Sequence, residues 1–230
     1  MQNLRTEGER RVTLPGEVPL FPLPDHVLLP GVLTPYRVFE PRYRTLVEEL
    51  LAAPDQERWI SVPRLAAGWK RDYHGTPAFC ELATVGRVTS CEELSGGHYL
   101  ISVEGEARCR LHERPSDRPY RVARIEAVPD LPCELPGREL TARWESIVEA
   151  VYALTQLLGS AVSDLAAAAA VSDRDALMSF RLAGAAVDTA DERQQILEDR
   201  RLEHRLERVL DALSGLVALA SRHVGARADA

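Results

Sequence analysis

The prolines of residues 17–51 constrain this chain of 230 residues more than any other sequence feature. The segment reads EVPLFPLPDHVLLPGVLTPYRVFEPRYRTLVEELL, and short apolar runs at 18–21 and 27–29 are candidate strands. Prolines stand within and beside these runs, at Pro19, Pro22, Pro24 and Pro30. Because proline lacks a backbone N–H and fixes φ, it confines such strands to sheet edges and bends. The Pro30-Gly31 pair that ends the second run predicts a turn.

A helix is predicted to begin directly after Glu40. Pro41 follows it, and the fixed φ of proline suits the first helical position. Apolar side chains then recur at three-and-four spacing, at Tyr43, Val47, Leu50 and Leu51. We expect the Glu40 carboxylate to interact with the positive end of the helix dipole. The segment therefore predicts strand, turn, strand and helix, and none of its residues is a candidate nucleophile.

The charge of the chain argues against one broad class of partner. The formal net charge is −7, and most of this acidity lies in the second half of the chain. Proteins that grip phosphate backbones are usually basic, so general nucleic-acid binding is disfavoured.

The cysteines give no sign of a metal site. They lack the two-residue spacing with which one loop presents two thiolates to zinc, and they are Cys80, Cys91, Cys109 and Cys133. The N-terminus has no apolar run of signal-peptide length, and the alanines at 166–170 are too few to span a membrane. We therefore expect a cytoplasmic protein with reduced thiols and no bound metal.

The strand period is clearest at residues 98–112. There apolar and polar side chains alternate, and Gly105 falls on the apolar face. A glycine inside a strand marks a bend, a bulge or the close approach of another backbone. Further strands are predicted at 83–94, before a Ser95-Gly96-Gly97 turn, and at 120–128.

The period becomes helical after the proline-rich stretch PDLPCELPG. A first apolar stripe consists of Trp144, Ile147, Val151, Leu154 and Leu158. Thr189 and Glu192 match a capping box, which predicts another helix start. The last helix has an apolar seam at Leu202, Leu206, Val209, Leu213, Leu216 and Ala220. This seam favours packing within a C-terminal bundle, and pairing with a helix of a partner is the alternative.

These patterns divide the chain into five segments. We expect a flexible N-terminus at 1–14, a β-rich domain at 15–130 and a connector at 131–137. A helical bundle at 138–224 and a flexible tail at 225–230 complete the prediction.

Taken together, these features resemble the N-terminal, or substrate-binding, domain of Lon protease. The opening motif contributes Pro22, Pro24, Pro30, Gly31, Phe39, Glu40, Pro41, Arg42 and Tyr43. Gly86, Gly105 and Arg108 match further along, and ERQQILE at 192–198 matches the helical part. The resemblance covers about residues 15–222. The loop GWKRDYHGTP at 68–77 is similar to one in short, free-standing bacterial members that lack the ATPase and protease modules.

This resemblance implies a fold and a function. The expected fold class is α+β, with an N-terminal PUA-like β pseudobarrel that contains one inserted helix, followed by a C-terminal α-helical bundle. The implied function is non-catalytic binding of unfolded or tagged polypeptide segments, as an adaptor for a protease or a competitor of one. No cofactor is implied. The expected partners are such polypeptides, and a protease or other protein bound through the C-terminal helices.

Peptidase activity is a further alternative, but it rests on the family name alone. The chain has no Gly-x-x-x-x-Gly-Lys-Ser/Thr string to hold the phosphates of ATP. Lys70 is its only lysine and lies in a polar loop, where an ammonium stays protonated and cannot act as the base of a Ser-Lys pair. The histidines form no His-Glu-x-x-His spacing. We therefore expect no enzymatic activity.

Aromatic residues in or beside polar loops are candidates for anchoring the apolar side chains of an extended peptide. On this basis the predicted peptide-binding residues are Tyr36, Trp69 and Tyr73. A lid over the open end of the barrel is the alternative role for Trp69 and Tyr73. Phe39 is expected to point into the core.

A group of arginines supports the other alternative, an RNA-binding module. The group consists of Arg108, Arg110, Arg114, Arg118, Arg121 and Arg124. Some proteins with the PUA fold bind RNA, so the resemblance makes this strip worth considering. The acidic chain, with Glu104 and Glu106 on the same strand face, favours a solvated outer surface instead.

Overall fold

A computed structural model describes residues 2–4, 12–73, 75–170 and 174–228. The chain divides into two compact units, Met1–Pro129 and Asp130–Ala230. The first unit is built on β-strands and the second on α-helices. The predicted α+β class is confirmed.

Within its described residues, the first unit contains one α-helix, α1 (Pro41–Ala52), inserted between its fourth and fifth strands. Its strands are β1 (Gln2–Leu4), β2 (Val12–Leu14), β3 (Glu17–Pro19), β4 (Leu33–Val38), β5 (Trp59–Ser61), β6 (Leu82–Leu94), β7 (His98–Arg114) and β8 (Val122–Ala127). Among the described residues, β1 and β2 form a small antiparallel ladder of their own. The other strands share one sheet.

The long strand β7 organises this sheet. The strand order is β3-β8-β7-β6-β5 and every ladder is antiparallel. One edge of β7 pairs with β6, and the other edge pairs first with β4 and then with β8. The ladder does not close into a barrel. Isolated parallel bridges, Leu20 to Ser61 and Leu23 to Arg64, instead link the chain after β3 to β5 and the residues after it.

Two apolar clusters fill the first unit. In one, α1 contributes Tyr43, Leu46 and Val47, which are buried with Val38 of β4 and Val103 of β7. The other cluster lies among β2, β3, β6, β7 and β8, and its members include Leu14, Val18, Val85, Cys109 and Ile125. All four cysteines are free thiols. Burial raises the pKa of the Cys109 thiol to about 12.

The residues predicted to be flexible at the N-terminus include structured ones. β2 pairs with β1, and Leu14 is fully buried in the second cluster. Apolar burial therefore anchors this end of the segment predicted at 1–14; Met1 and residues 5–11 lie outside the described residues. At the other end of the chain the last helix continues to Ala228. Of the predicted tail, residues 229–230 lie outside the described part.

The strand predicted at 27–29 is wrong. These residues are buried, but they form no ladder, and the strand β4 follows the Pro30-Gly31 turn instead. The hydroxyl of Thr84 donates a hydrogen bond of 2.6 Å to the Leu28 carbonyl. Because a side chain and not a neighbouring strand satisfies this backbone group, the apolar run is buried as irregular chain.

The Pro30-Gly31 turn lies directly against Gly105. The Gly31 N–H donates to the Gly105 carbonyl at 2.8 Å, and the Gly105 N–H donates to the Val32 carbonyl at 3.0 Å. A Cβ on Gly105 would collide with the Leu29 carbonyl oxygen. Next to this contact, Gly105 pairs with Gly86 of β6 at an irregularity in the register. The bulge or close approach predicted for Gly105 is confirmed in both forms.

We predict that Gly105→Ala destabilises the first unit by about 1–3 kcal/mol, because the new methyl group must displace backbone and not a flexible side chain. The matched control is Gly16→Ala, since nothing lies within 4 Å of a Cβ at that exposed position. The control is expected to change stability by less than about 0.5 kcal/mol. Urea denaturation of both variants measures the difference, and equal stability would contradict the role of the contact.

The second unit is an α-helical bundle. Its helices are α2 (Gly137–Leu158), α3 (Ser163–Ala169), α4 (Ala176–Ala186), α5 (Ala190–Glu198) and α6 (Leu202–Ala228). The predicted stripes are largely buried inside this unit, including Trp144, Ile147 and Leu154 of α2 and Leu206, Val209 and Leu213 of α6. Packing of the α6 seam within the bundle is therefore confirmed. The Glu192 N–H donates to the Thr189 hydroxyl at 3.2 Å, which confirms the predicted cap of α5.

One stretch, Gly137–Ala169, is long and apolar enough to cross a membrane, since a window of 18 residues within it has a mean hydropathy of 1.2. It is not one continuous α-helix. α2 ends at Leu158, and Gly159 has a φ of 59° where a short 3-10 turn begins. Its buried residues, such as Trp144 and Leu154, face the bundle. Length and composition alone are weak support for a membrane span.

A buried arginine ties the bundle to the start of the second unit. Arg205 is 0% exposed, and its guanidinium donates to both carboxylate oxygens of Asp130 at 3.0 and 2.6 Å. It also donates to the Ser179 hydroxyl at 3.0 Å and stacks on the Phe180 ring at 4.5 Å. The planar guanidinium fits this bidentate and stacked arrangement, which an ammonium group cannot reproduce.

We predict that Arg205→Met destabilises the bundle by about 3 kcal/mol, because Asp130 and Ser179 lose a buried partner. Arg208→Met is the matched control, since Arg208 is exposed on the same helix and, among the described residues, donates only to the Gln195 side chain. The control is expected to lose less than about 0.5 kcal/mol. Thermal unfolding followed by circular dichroism at 222 nm compares the two.

Candidate functional site

Glu40 connects the end of β4 to the loop at 68–77. It occupies the N-cap position of α1, with φ −69° and ψ 136°, directly before Pro41. Its side chain caps no backbone N–H of the helix. One carboxylate oxygen instead accepts from Arg42 Nε at 3.0 Å, and the other accepts from the Tyr73 hydroxyl at 2.9 Å. The expected position of Glu40 beside the helix start is confirmed. Its carboxylate binds Arg42 and Tyr73 of the loop, and it does not cap the backbone of the helix.

The loop at 68–77 presents two neighbouring aromatic rings. Gly68 has a φ of 86°, and a short 3-10 helix, Trp69–Arg71, follows it. The rings of Trp69 and Tyr73 meet edge to face at 5.5 Å, and both residues are half-buried. Burial raises the pKa of Tyr73, and the hydrogen bond to Glu40 raises it further. His74 lies outside the described residues.

Tyr36 does not belong to the surface, contrary to its prediction as a peptide-binding residue. It is 6% exposed, and its hydroxyl is hydrogen-bonded to His26 Nε2 at 2.7 Å. Its ring lies 5.8 Å from that of Phe21 in an edge-to-face arrangement. A bound peptide would have to displace core side chains to reach it. The predicted trio therefore reduces to Trp69 and Tyr73, whose binding role stays a prediction.

The expectation that Phe39 points into the core is also wrong, since this side chain is 55% exposed. Side chains alternate between the two faces of β4, and Tyr36 and Val38 point inward. Arg37 and Phe39 must therefore point outward. The alternation of inward and outward side chains was present in the sequence, but it predicts the direction of Phe39 only if residues 33–38 are recognised as a strand.

Phe39 belongs to an exposed apolar surface, which we call the outer β4 face: Leu33, Pro35, Arg37, Phe39 and Leu100. The exposed fractions are 60% for Leu33, 55% for Phe39 and 36% for Leu100. Leu100 of β7 lies opposite Arg37 in the ladder, and the Phe39 ring lies 6.4 Å from that of His98. Leu33 and Phe39 stand about 20 Å apart at about 3.3 Å per residue. This length matches an extended segment of several residues.

The other family-motif residues hold the scaffold. Pro22 and Pro24 flank Leu23, whose backbone bonds to residues beyond β5. Tyr43 is 5% exposed beneath the Arg42 guanidinium at 4.6 Å, and burial raises its pKa to about 12. A Cβ on Gly86 would stand 2.5 Å from the Glu104 carbonyl oxygen. The contact at Gly86 leaves no room for a side chain there, whereas the other contacts hold Leu23 and Tyr43 in place.

The arginine strip is mostly occupied by contacts within the protein. Arg108 is 4% exposed and donates to the Val128 carbonyl at 3.1 Å. Arg121 forms a bidentate pair with Glu113 at 2.6 Å, and its guanidinium stacks on Phe79. Two further ion pairs join Arg110 to Glu81 and Arg118 to Glu49. A continuous basic surface for a nucleic-acid backbone is therefore not formed.

The described residues contain no group of three or more histidine, cysteine or acidic side chains arranged to hold a metal ion. Among the described residues, the arrangement around Glu40 places a carboxylate beside a guanidinium and a phenol, without a nucleophile activated by a base. Its chemistry is that of positioning the loop at 68–77.

The comparison with known families decides the assignment. The family model for the ATP-dependent protease La (LON) substrate-binding domain matches residues 17–215. This chain belongs to the Lon substrate-binding domain family. The match includes the outer β4 face, the loop at 68–77 and the bundle through the first half of α6.

Related proteins agree with this assignment. A Lon protease from Anaeromyxobacter dehalogenans is 28% identical over 203 residues, which cover 87% of this chain and 23% of the relative. A Lon protease from Paraburkholderia phytofirmans is 28% identical over 205 residues, covering 86% and 24%. The chain thus spans about a quarter of the length of the curated relatives it matches. The matched family model describes the substrate-binding domain, which is not the ATPase or protease domain.

Solved structures share the fold. The N-terminal domain of the Mycobacterium avium complex Lon protease superimposes with a TM-score of 0.64 at 18% identity, covering 86% of this chain and 98% of the other. A Lon N-terminal domain protein from Xanthomonas campestris gives a TM-score of 0.57 at 24% identity, covering 85% and 97%. The family model confirms the predicted family resemblance, and the solved structures confirm the fold.

We predict that Tyr73→Phe loosens the loop at 68–77, because the hydrogen bond to Glu40 is removed while the ring is kept. A protease that cleaves only after lysine tests this directly, since Lys70 is the only lysine of the chain and lies exposed in the loop. A bond worth about 1 kcal/mol raises the cleavage rate roughly fivefold if local opening precedes cleavage.

Tyr152→Phe is the matched control, because Tyr152 is 66% exposed on α2 and lies outside the first unit. It is expected to leave the cleavage rate unchanged. Glu40→Gln should accelerate cleavage as Tyr73→Phe does. Unchanged cleavage in both loop variants would show that Glu40 does not hold the loop.

Proposed function

We propose that this Lon substrate-binding domain binds unfolded or tagged polypeptide segments without catalysis, using the outer β4 face as its main surface. The observation that carries the proposal is the exposure of Leu33, Phe39 and Leu100 on one side of β4 and β7. Large apolar side chains exposed in a row along one strand offer successive contacts to the side chains of an extended segment. Family membership supports a role in recognition of protein substrates.

The chemistry of this surface suits weak and tolerant binding. Burying one phenylalanine or leucine side chain contributes about 1.5–3 kcal/mol, and such contacts are not directional. Arg37 and the glutamates of neighbouring strands frame the apolar side chains with polar groups. The surface thus favours clients whose apolar side chains are exposed in extended chain. Folded proteins keep most of these side chains buried.

Trp69 and Tyr73 are proposed as a second contact. Their rings are half-buried, so each keeps some surface for a client, and the Glu40 hydrogen bond holds Tyr73 in place. Aromatic side chains with few rotatable bonds lose little entropy when they anchor a peptide. Their alternative role as a lid over the sheet makes a different prediction, because a lid contributes to stability and not to binding.

We further propose that the protein acts in the cytoplasm as an adaptor for a protease or as a competitor of one. The bundle supplies a separate surface for such a partner, since α2 exposes Val148 and Tyr152 on one side. No hydrolysis of ATP or of an unfolded protein such as casein is expected from purified chain. Turnover of either would overturn the non-catalytic part of the proposal.

We predict that Phe39→Asp weakens binding of an uncharged apolar peptide roughly 30-fold, corresponding to about 2 kcal/mol of lost apolar contact. Leu33→Asp should weaken it in the same direction. Fluorescence anisotropy with a labelled peptide of about ten residues measures the affinity, and thermal unfolding checks that each variant is folded. Binding should survive high salt, because apolar burial is not screened.

Tyr152→Asp is the matched control, since it places a carboxylate at an equally exposed aromatic position of the bundle. It should leave peptide affinity within about twofold. If this variant lost the peptide while Phe39→Asp kept it, the client surface would lie on the bundle instead.

A further inference from the structure

A groove at the far end of β7 and β8 contains two arginines for which the described residues supply no carboxylate partner. Its volume is about 650 Å³, and it is lined by His112, Glu113, Arg114, Pro115, Arg124, Ile125 and Glu126. Both Arg114 and Arg124 are exposed, and neither takes part in an ion pair within the described part of the chain. Glu17 lies opposite Arg124 in the β3–β8 ladder, but no ion pair joins their side chains in the described structure.

These two arginines differ from their neighbours on the same strands. The rest of the arginine strip has partners inside the protein, namely Glu81, Glu49, Glu113 and the Val128 carbonyl. The acidic residues of the groove also contact side chains of the protein itself. Glu113 pairs with Arg121 at 2.6 Å, and Glu126 meets His112 at 3.1 Å. His112 is neutral unless it is protonated, so the Glu126 carboxylate keeps its negative charge in the groove. The guanidinium groups of Arg114 and Arg124 are thus the unpaired donors of the groove among the described residues, and a carboxylate would bind there through directed hydrogen bonds and not through a large net positive charge.

The ladder places the two guanidinium groups on one side of the sheet. His112 lies opposite Arg124, and Arg114 lies opposite Val122, so the two arginines are diagonal neighbours. Diagonal positions stand about 7–8 Å apart between backbones, within reach of long side chains. Each guanidinium offers a planar pair of donors that fits a carboxylate.

We propose that this groove binds the carboxylates of an acidic polypeptide segment. The inference deepens the proposed function, on which it rests, by adding a charge preference for clients. An acidic segment is favoured over RNA because two arginines can bind only one or two negative charges of a ligand, and RNA carries one charge at every nucleotide. A longer polyanion would also run onto the surface of a chain with a net charge of −7.

The groove is distinct from the outer β4 face. Leu100 and His112 stand on the same strand but twelve residues apart by number, with the Gly105 bulge between them. One client with an apolar part and an acidic part can use both surfaces if the parts are far enough apart. A linked second contact raises the affinity through effective concentration.

The experiment compares four labelled peptides on the full chain: an apolar peptide, the same peptide extended by a run of Asp and Glu, the same extension as Asn and Gln, and an acidic peptide without apolar residues. A labelled single-stranded RNA is the fifth probe. Arg114→Gln/Arg124→Gln is the test variant. Arg138→Gln/Arg222→Gln is the control, because it removes the same charge from exposed helix positions of the bundle. Fluorescence anisotropy at low and high salt gives each affinity.

We expect wild type to prefer the acidic extension over the amide extension roughly fivefold at low salt, as two exposed ion pairs allow. The preference should disappear in the test variant and at high salt, and persist in the control. Equal affinity for both extensions in wild type, or the same loss in the control, would overturn the proposal. Tighter binding of a single-stranded RNA through the same two arginines would overturn it as well.

The peptides separate this inference from the proposed function. If the apolar peptide binds and the acidic extension adds nothing, recognition stands and the groove has no role. If the apolar peptide fails but an acidic peptide without apolar residues binds through Arg114 and Arg124, the proposed apolar surface fails and the groove stands.

Discussion

The contact between Gly105 and the turn at 29–32 is the constraint on which the N-terminal unit depends. Two backbone hydrogen bonds join them, and no side chain fits at Gly105. The turn determines where β4 begins against β7. A shift of one residue would exchange the inward Tyr36 and Val38 for the outward Arg37 and Phe39. The hydroxyl of Thr84 holds the preceding Leu28 carbonyl, so the apolar run before the turn stays in place.

From this register the scaffold and the surface arise on opposite faces of one short strand. Tyr36 and Val38 join the core with α1, while Leu33 and Phe39 face outward. The strand ends at Glu40, where Pro41 starts the helix. The Glu40 carboxylate is then free of backbone capping and holds Arg42 and Tyr73. Residues 29–43 therefore fix the core, the outer β4 face and the position of the loop at 68–77.

The sequence predicted those features that depend on local spacing. The alternation of apolar and polar residues predicted β7. Pro41 predicted the start of α1, and the Thr189 capping box predicted the start of α5. The errors come from interactions distant in sequence. The run at 27–29 is more apolar than LTPYRV, yet Thr84, 56 residues beyond Leu28, satisfies its backbone and the mixed segment forms the strand. Likewise, the Arg108 side chain is buried and not part of a basic surface, and it donates a hydrogen bond to the Val128 carbonyl twenty residues later.

The position of Pro35 restricts how a client can bind at β4. Within the described sheet β4 pairs with β7 along one edge, and a peptide could in principle extend the sheet along the other. Pro35 lies in the middle of the strand and has no N–H, so an added strand would lack a central hydrogen bond. An exposed edge with apolar side chains is otherwise prone to self-association, and an edge proline opposes it. On the proposed surface, binding through side chains is therefore favoured over strand addition, which explains how a tolerant apolar site can remain exposed on a folded sheet.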